Sequence, residues 1–147
     1  MATEQEWQIG EFLISTDKNL LQIDAIHAFL TEESYWAKDR TREQTQKAIE
    51  NSLCFGVYAG EKQIGLARVI TDFATFAYIG DVYITKDFRG LGLSKRLMET
   101  IVDYPELQNL RRWLLATRDA HALYEKFGFH ELKFPTRWME KPAPNAY

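Results

Sequence analysis

The chain has 147 residues, 46% of them apolar, with a formal net charge of -3 and a single cysteine, Cys54. One domain over 1–147 is expected, with a frayed end at 141–147, because this length can bury a substantial core. The weak acidity excludes broad electrostatic binding of nucleic acid, and the lone cysteine excludes an internal disulfide or a cysteine metal cluster; with no basic-then-apolar leader and no apolar run of about 18 residues, the expected setting is cytoplasmic, with no membrane and no metal.

Ile9, Phe12 and Ile14 predict a first strand over Gln8–Ser15. From Leu20 the apolar positions Leu20, Ile23, Ile26, His27 and Leu30 recur at helical spacing, and this helix is expected to end near Glu33. Thr41 and Gln44 have the spacing of a capping box, so a second helix is expected from Thr41 to about Ser52. The period then changes to two. Leu53–Ala59, Gln63–Thr71 and Phe76–Thr85 read as three strands of an antiparallel meander, turned at Gly60–Lys62 and Asp72–Thr75, with Gly80 marking a bulge.

Lys86–Gly92 is a polar loop that leads into an amphipathic helix carrying Leu93, Leu97, Met98, Ile101 and Val102, which Pro105 must stop. Arg112–Thr117 reads as a short strand. Asp119 is expected to cap a helix over Ala120–Phe127, with Gly128 as its left-handed end. Phe129–Phe134 and Thr136–Met139 read as last strands on either side of Pro135. The expected order is β-α-α-β-β-β-α-β-α-β, an α+β chain with a central mixed, mostly antiparallel sheet flanked by helices. Neither a linker nor an internal repeat is visible.

The run Arg89-Gly90-Leu91-Gly92-Leu93-Ser94 lies between a strand and a helix. Its glycines let the backbone turn closely, and the first helical turn adds unpaired N–H groups and a partial positive charge. Such a junction suits a pyrophosphate, to which Arg89 can add a charge-assisted bond. A nucleotide-binding Walker loop is excluded because Leu93-Ser94, not Lys-Ser/Thr, follows Gly92. A dinucleotide fingerprint is excluded because the third glycine and the parallel βαβ unit are missing.

Val82–Ser94 resembles the coenzyme-A-binding motif of the GNAT superfamily of N-acetyltransferases, Arg/Gln-x-x-Gly-x-Gly/Ala, carried here by Arg89, Gly92 and Ser94. Ala120–Phe129 resembles the family's second hallmark, Ala-x-x-Leu-Tyr-x-x-x-Gly-Phe. Ser94 departs from the usual Gly or Ala, and Thr117 stands where Asn is frequent. The resemblance implies the GNAT fold and acetyl-CoA as co-substrate. It also implies a V-shaped opening between the fourth and fifth predicted strands, where the pantetheine arm follows Val82, Tyr83 and Ile84 and the phosphates meet Arg89, Gly90, Leu91, Gly92, Leu93 and Ser94.

The implied reaction is acetyl transfer to a primary amine by direct attack in a ternary complex, with a small-molecule acceptor favoured over a protein amino group. The same loop would serve a non-catalytic module that senses coenzyme A. An amide near Val82 or Tyr83 can polarise the thioester carbonyl. Tyr124 matches the family's tyrosine near the coenzyme sulfur, expected as general acid, and a phenol is protonated at neutral pH. Two candidates stand for the base: Asp81, which shares a strand face with Tyr83, and His121, one helical turn from Tyr124. By resemblance Glu33, Tyr35 and Trp36, together with Glu32, line the acceptor pocket, or form a packed corner over the sheet. Arg137 and Trp138 edge that pocket, seal the core, or face a second copy in a homodimer. Cys54 reads as an ordinary buried residue.

Overall fold

Short turns set the order of the sheet. In the computed structural model, which describes residues 3–144 and 146, six strands lie side by side in chain order: β1 (Glu6–Ile9), β2 (Phe12–Ser15), β3 (Leu53–Ala59), β4 (Lys62–Thr71), β5 (Phe76–Ile84) and β6 (Arg112–Leu115). Neighbours run antiparallel except β5 and β6. A parallel pair needs a crossover, and α3 (Leu93–Val102) supplies it. Two further helices, α1 (Ile23–Glu32) and α2 (Arg42–Glu50), connect β2 to β3, and the short α4 (His121–Glu125) follows β6. The expected mixed, mostly antiparallel sheet flanked by helices is the observed architecture.

Each face of the sheet carries its own apolar cluster. Leu93, Leu97, Met98 and Ile101 put one stripe of α3 against Phe55, Val57, Ala67 and Val69. On the opposite face Ile26, Phe29 and Leu30 of α1 and Ile49 of α2 cover Cys54, Leu66 and Tyr83. Each such side chain contributes about 1.5–3 kcal/mol when fully buried. At the start of α2 the Gln44 amide donates to Thr41 Oγ1 at 3.1 Å and the Thr41 amide donates to Gln44 Oε1 at 2.8 Å, which is the capping box read from the sequence.

Four local expectations are corrected. The predicted first strand is a hairpin of β1 and β2, because Gly10 takes φ +58° and reverses the chain. The first helix begins at Ile23 rather than Leu20; Lys18–Leu20 is a 3-10 turn tied by the Asn19 amide to Asp17. Asp119 does not cap α4, since the Ala120 amide donates instead to Thr117 Oγ1 at 3.0 Å. Neither of the last two strands forms among the described residues. A strand needs a neighbour to accept its amides, and the chain after Phe129 lies exposed, with one 3-10 turn at Pro135–Arg137.

A bulge in β5 shapes the centre of the molecule. Arg68 pairs with Gly80 and Leu66 with Tyr83, so Asp81 and Val82 together face Ala67 alone. Asp81 absorbs the extra residue at φ +49°, a backbone region that few non-glycine residues occupy. Before the bulge Ala77 and Ile79 join the cluster under α3; after it Tyr83 joins the cluster under α1. Pairing with β6 runs from Phe76–Arg112 to Ile79–Leu115 and stops there, while β5 continues to Ile84. The two strands therefore part at the bulge, leaving an opening between them.

Candidate active site

The loop after β5 is built from backbone. Gly90 and Gly92 sit at φ +79° and +78°, and a Cβ at either position would meet no atom within 4 Å. The glycines are thus demanded by conformation and leave the loop surface bare. Gly92 opens α3 with no side-chain cap, so the first amides of this helix face an open space. The fit to a pyrophosphate rests on these uncapped amides and the positive end of the helix dipole. Arg89 Nε donates to the Ile84 carbonyl at 2.9 Å, tying the loop to the end of β5. A cavity of about 230 Å3 is lined by Ile84, Arg89, Gly90, Gly92, Leu93 and Ser94 together with Leu123 of α4. Leu91 is exposed at the loop tip. Val82 is partly buried against the α3 cluster, whereas the Tyr83 ring turns away and stacks on Phe29 at 3.8 Å.

Tyr124 follows Leu123 and is nearly buried, edge-on to Phe129 at 6.1 Å. Burial, with Tyr35 and Asp119 adding to it, pushes its phenol up to about 12, so the hydroxyl keeps its proton at neutral pH. His121 is exposed on the same short helix and lines, with Thr117 and Tyr124, a groove along β6.

Asp81 lies in a different setting. Its Oδ1 accepts from the Trp36 indole at 2.8 Å, and its Oδ2 accepts from Arg40 and Arg68 at 2.7 Å each. The side chain is 2% exposed. Burial alone would raise its pKa, but the hydrogen bonds and charges of Arg40 and Arg68 outweigh it and hold the carboxyl below the usual carboxylate range. Arg68 also donates to Ser52 Oγ at 3.1 Å. Asp81 thereby fastens the segment between α1 and α2 onto the bulge of β5.

Tyr35 packs edge-on against Trp36 at 5.1 Å. Its hydroxyl accepts from the Arg118 amide at 3.0 Å, and the Arg118 guanidinium lies 3.8 Å from the centre of its ring. This clasp joins the α1–α2 segment to the loop before α4, beside the opening between β5 and β6. Glu33 is exposed at the C-terminal end of α1, and its charge contributes to raising the Tyr83 phenol, after burial, Asp81 and Tyr58. Cys54 is buried with its thiol pushed up to about 12 by desolvation, and His27 bonds Thr45 at 2.8 Å between the two helices.

The structure therefore brings the loop residues together around one cavity with Leu123, sets Tyr124 with His121 in the groove along β6, and holds Asp81 apart in its own corner. Arg40, Arg68 and Arg118 were not singled out in the sequence. Arg68 had a readable signal: a charged residue in the apolar run Ile64–Ile70, opposite Gly80 in the hairpin register. Arg40 and Arg118 had none, since their partners lie 41 and 83 residues away.

The model of the acetyltransferase (GNAT) family matches residues 23–129. A candidate acetyltransferase from Gibberella zeae is 34% identical, over 83% of this chain and 80% of that one. A crystal structure of a candidate GNAT-family acetyltransferase from Xanthomonas campestris pv. campestris superposes with TM-score 0.90 at 46% identity, over 94% of this chain and 97% of that one. A structure from Clostridium acetobutylicum solved with acetyl-CoA shares the fold at 18% identity and TM-score 0.63, over 89% and 94% of the two chains.

Proposed function

We propose, from the premise that this chain belongs to the acetyltransferase (GNAT) family, that it transfers an acetyl group from acetyl-CoA to the primary amine of a small molecule. One observation carries this reading: the uncapped, glycine-bared start of α3 opens beside the parting of β5 and β6, with Leu123, the residue before Tyr124, in the cavity wall. Backbone amides at Gly92, Leu93 and Ser94 bind the pyrophosphate, and Arg89 steadies the loop. Acetyl-CoA supplies the acyl group as a substrate, and the amine attacks directly while both are bound. The bulge at Asp81–Val82 frees an amide to polarise the thioester carbonyl. Tyr124, a phenol and therefore protonated at neutral pH, gives its proton to the departing thiolate.

Asp81, with three donors upon it, anchors the acceptor wall rather than taking the amine proton. His121, exposed in the same groove as Tyr124, takes that proton. Tyr35, Trp36 and Glu33 form the acceptor side, the first two as an aromatic wall and Glu33 as the exposed carboxylate that attracts an ammonium.

The test is release of free thiol from acetyl-CoA across a panel of amines. Amine-dependent turnover is expected, and tight coenzyme binding without turnover on any amine would favour a sensor. Tyr124→Phe should lower kcat about a hundredfold, as expected for loss of a general acid, while coenzyme affinity stays within about threefold. Equal turnover would remove Tyr124 as the acid.

A further inference from the structure

We propose that Arg68 is a positioning residue for acetyl transfer: its guanidinium holds Asp81 in the left-handed bulge of β5 and so aims the amide at Val82 towards the thioester carbonyl. This rests on the reading of that amide as the group that polarises the carbonyl.

The bulge is a strained place. Asp81 takes φ +49° inside a strand, and a non-glycine residue keeps such a conformation only where its surroundings over-determine it. The extra residue of a bulge also leaves the ladder locally unpaired. The direction of the next amide therefore depends on how Asp81 is turned. Beyond the bulge, Tyr83 is fixed by its stack on Phe29 at 3.8 Å. Before it, Gly80 has no side chain by which to be held. The turn between these points is governed through the Asp81 carboxylate.

Three donors reach that carboxylate, from two kinds of support. Trp36 and Arg40 belong to the segment between α1 and α2. Arg68 belongs to the sheet itself: it sits on β4 opposite Gly80, the residue before the bulge. Its Nη2 lies 4.0 Å from where a Gly80 Cβ would stand, so the guanidinium crosses β5 over bare backbone. Nε donates to Asp81 Oδ2 at 2.7 Å, while Nη1 donates to Ser52 Oγ at 3.1 Å. The Ser52 hydroxyl donates in turn to the Ala48 carbonyl at 2.7 Å, near the end of α2. A guanidinium is planar with its donors at fixed angles, so two anchored acceptors leave it one orientation. The side chain is only 12% exposed, which keeps water from competing for these bonds. Asp81 is thereby braced from α2 and β4 at once. A point charge would neutralise the carboxylate equally well, but it would not set its direction.

Infrared difference spectra of bound acetyl-CoA, with and without an isotope label at the acetyl carbonyl carbon, read the thioester band alone. In the wild type this band is expected below its position in free acetyl-CoA. In Arg68→Gln, at saturating acetyl-CoA, it should return towards the free position. There kcat should fall about tenfold, less than the roughly hundred- to thousandfold loss on removing such a donor outright. Coenzyme A affinity should stay within about twofold, because the amides at Gly92, Leu93 and Ser94 are untouched. Arg68→Lys keeps the charge beside Asp81 but has no second arm for Ser52, so it should recover thermal stability and not the band.

A wild-type band unmoved on binding overturns the reading of the bulge amide, and this proposal with it. A wild-type band that moves and an Arg68→Gln band that moves equally overturn the proposal alone, as does full recovery of band and kcat by Arg68→Lys. Should Arg68→Gln not fold, Ser52→Ala decides. Losing one arm should return the band in part and lower kcat about threefold; no change in either overturns the proposal.

Discussion

The loop from Arg89 to Ser94 and the corner around Asp81 are built on opposite plans. Between Arg89 and Ser94 the working groups are backbone amides, the glycines meet nothing, and the surface is open. Around Asp81 the working groups are side chains, each occupied by another, with the carboxylate 2% exposed between two arginines and an indole. The first region leaves its amides open. The second contributes to the fold and already holds three donors on its carboxylate. A strained, buried acid beside a cleft invites a catalytic reading, and here its hydrogen bonds argue for anchorage.

Mutation should separate the two plans. Gly92→Val puts a branched side chain where φ is +78° and screens the amides that follow. Hydrogen bonds to a charged group are worth about 1.5–3 kcal/mol each, so losing two predicts coenzyme A binding weaker by about a hundredfold or more by calorimetry. The left-handed backbone costs about 1–2 kcal/mol and should lower Tm by only about 2–8 °C. Unchanged affinity in a folded Gly92→Val chain would remove the loop from the site.

Asp81→Asn should behave in the opposite sense. It leaves Arg40 and Arg68 without their counter-charge, a loss of about 3 kcal/mol, or about 6–12 °C in Tm for a chain of this length. Coenzyme affinity should hold within about twofold, since the loop amides do not touch the corner. The pH dependence has a definite sign. Asp81 is held below the range of an unfolded aspartate, so its contribution is present above that range and fades as pH falls through the folded value. Acid melting below about pH 4 should therefore flatten in Asp81→Asn. It will not vanish, because bonds from Thr75, Ala74 and Phe76 also hold Asp72 low in the β4–β5 turn. A variant as stable as the parent, with the same acid limb, would show that the corner holds nothing.

This contrast also explains what the sequence could tell. Loop conformation is a local property, and two glycines and a helix start within six residues announce it. The capping box at Thr41 and the meander from Leu53 to Ile84 were legible for the same reason. The corner was not, because a period of two cannot say that one extra residue at Asp81 turns Tyr83 under α1. Nothing local joins Trp36 to a carboxylate 45 residues away. Alternation in Phe129–Phe134 was visible, but a strand also needs a neighbour, and sequence pattern does not count neighbours. Gly10 differs from these, since a glycine between Ile9 and Phe12 is itself a local turn signal.

The smallest expected effect tests whether the two plans meet. Arg118 spans the gap between them: its guanidinium lies over Tyr35 of the corner, while its own loop leads through Ala120 into the helix that carries Leu123 and Tyr124. Arg118→Ala removes the stack but keeps the amide that donates to the Tyr35 hydroxyl, so the clasp is weakened and not cut. An exposed cation–π contact is worth about 0.5–1 kcal/mol, which predicts a fall in Tm of no more than about 4 °C. On acetyl transfer it predicts a rise in acceptor KM of about two- to fivefold, with coenzyme affinity and kcat nearly constant. The Tyr35 ring would then be a wall whose position depends on Arg118, independent of the loop. A fall in kcat with KM unchanged would point elsewhere: the Arg118 side chain would be setting the Tyr124 helix, and the corner and the proton donor would be a single mechanical unit.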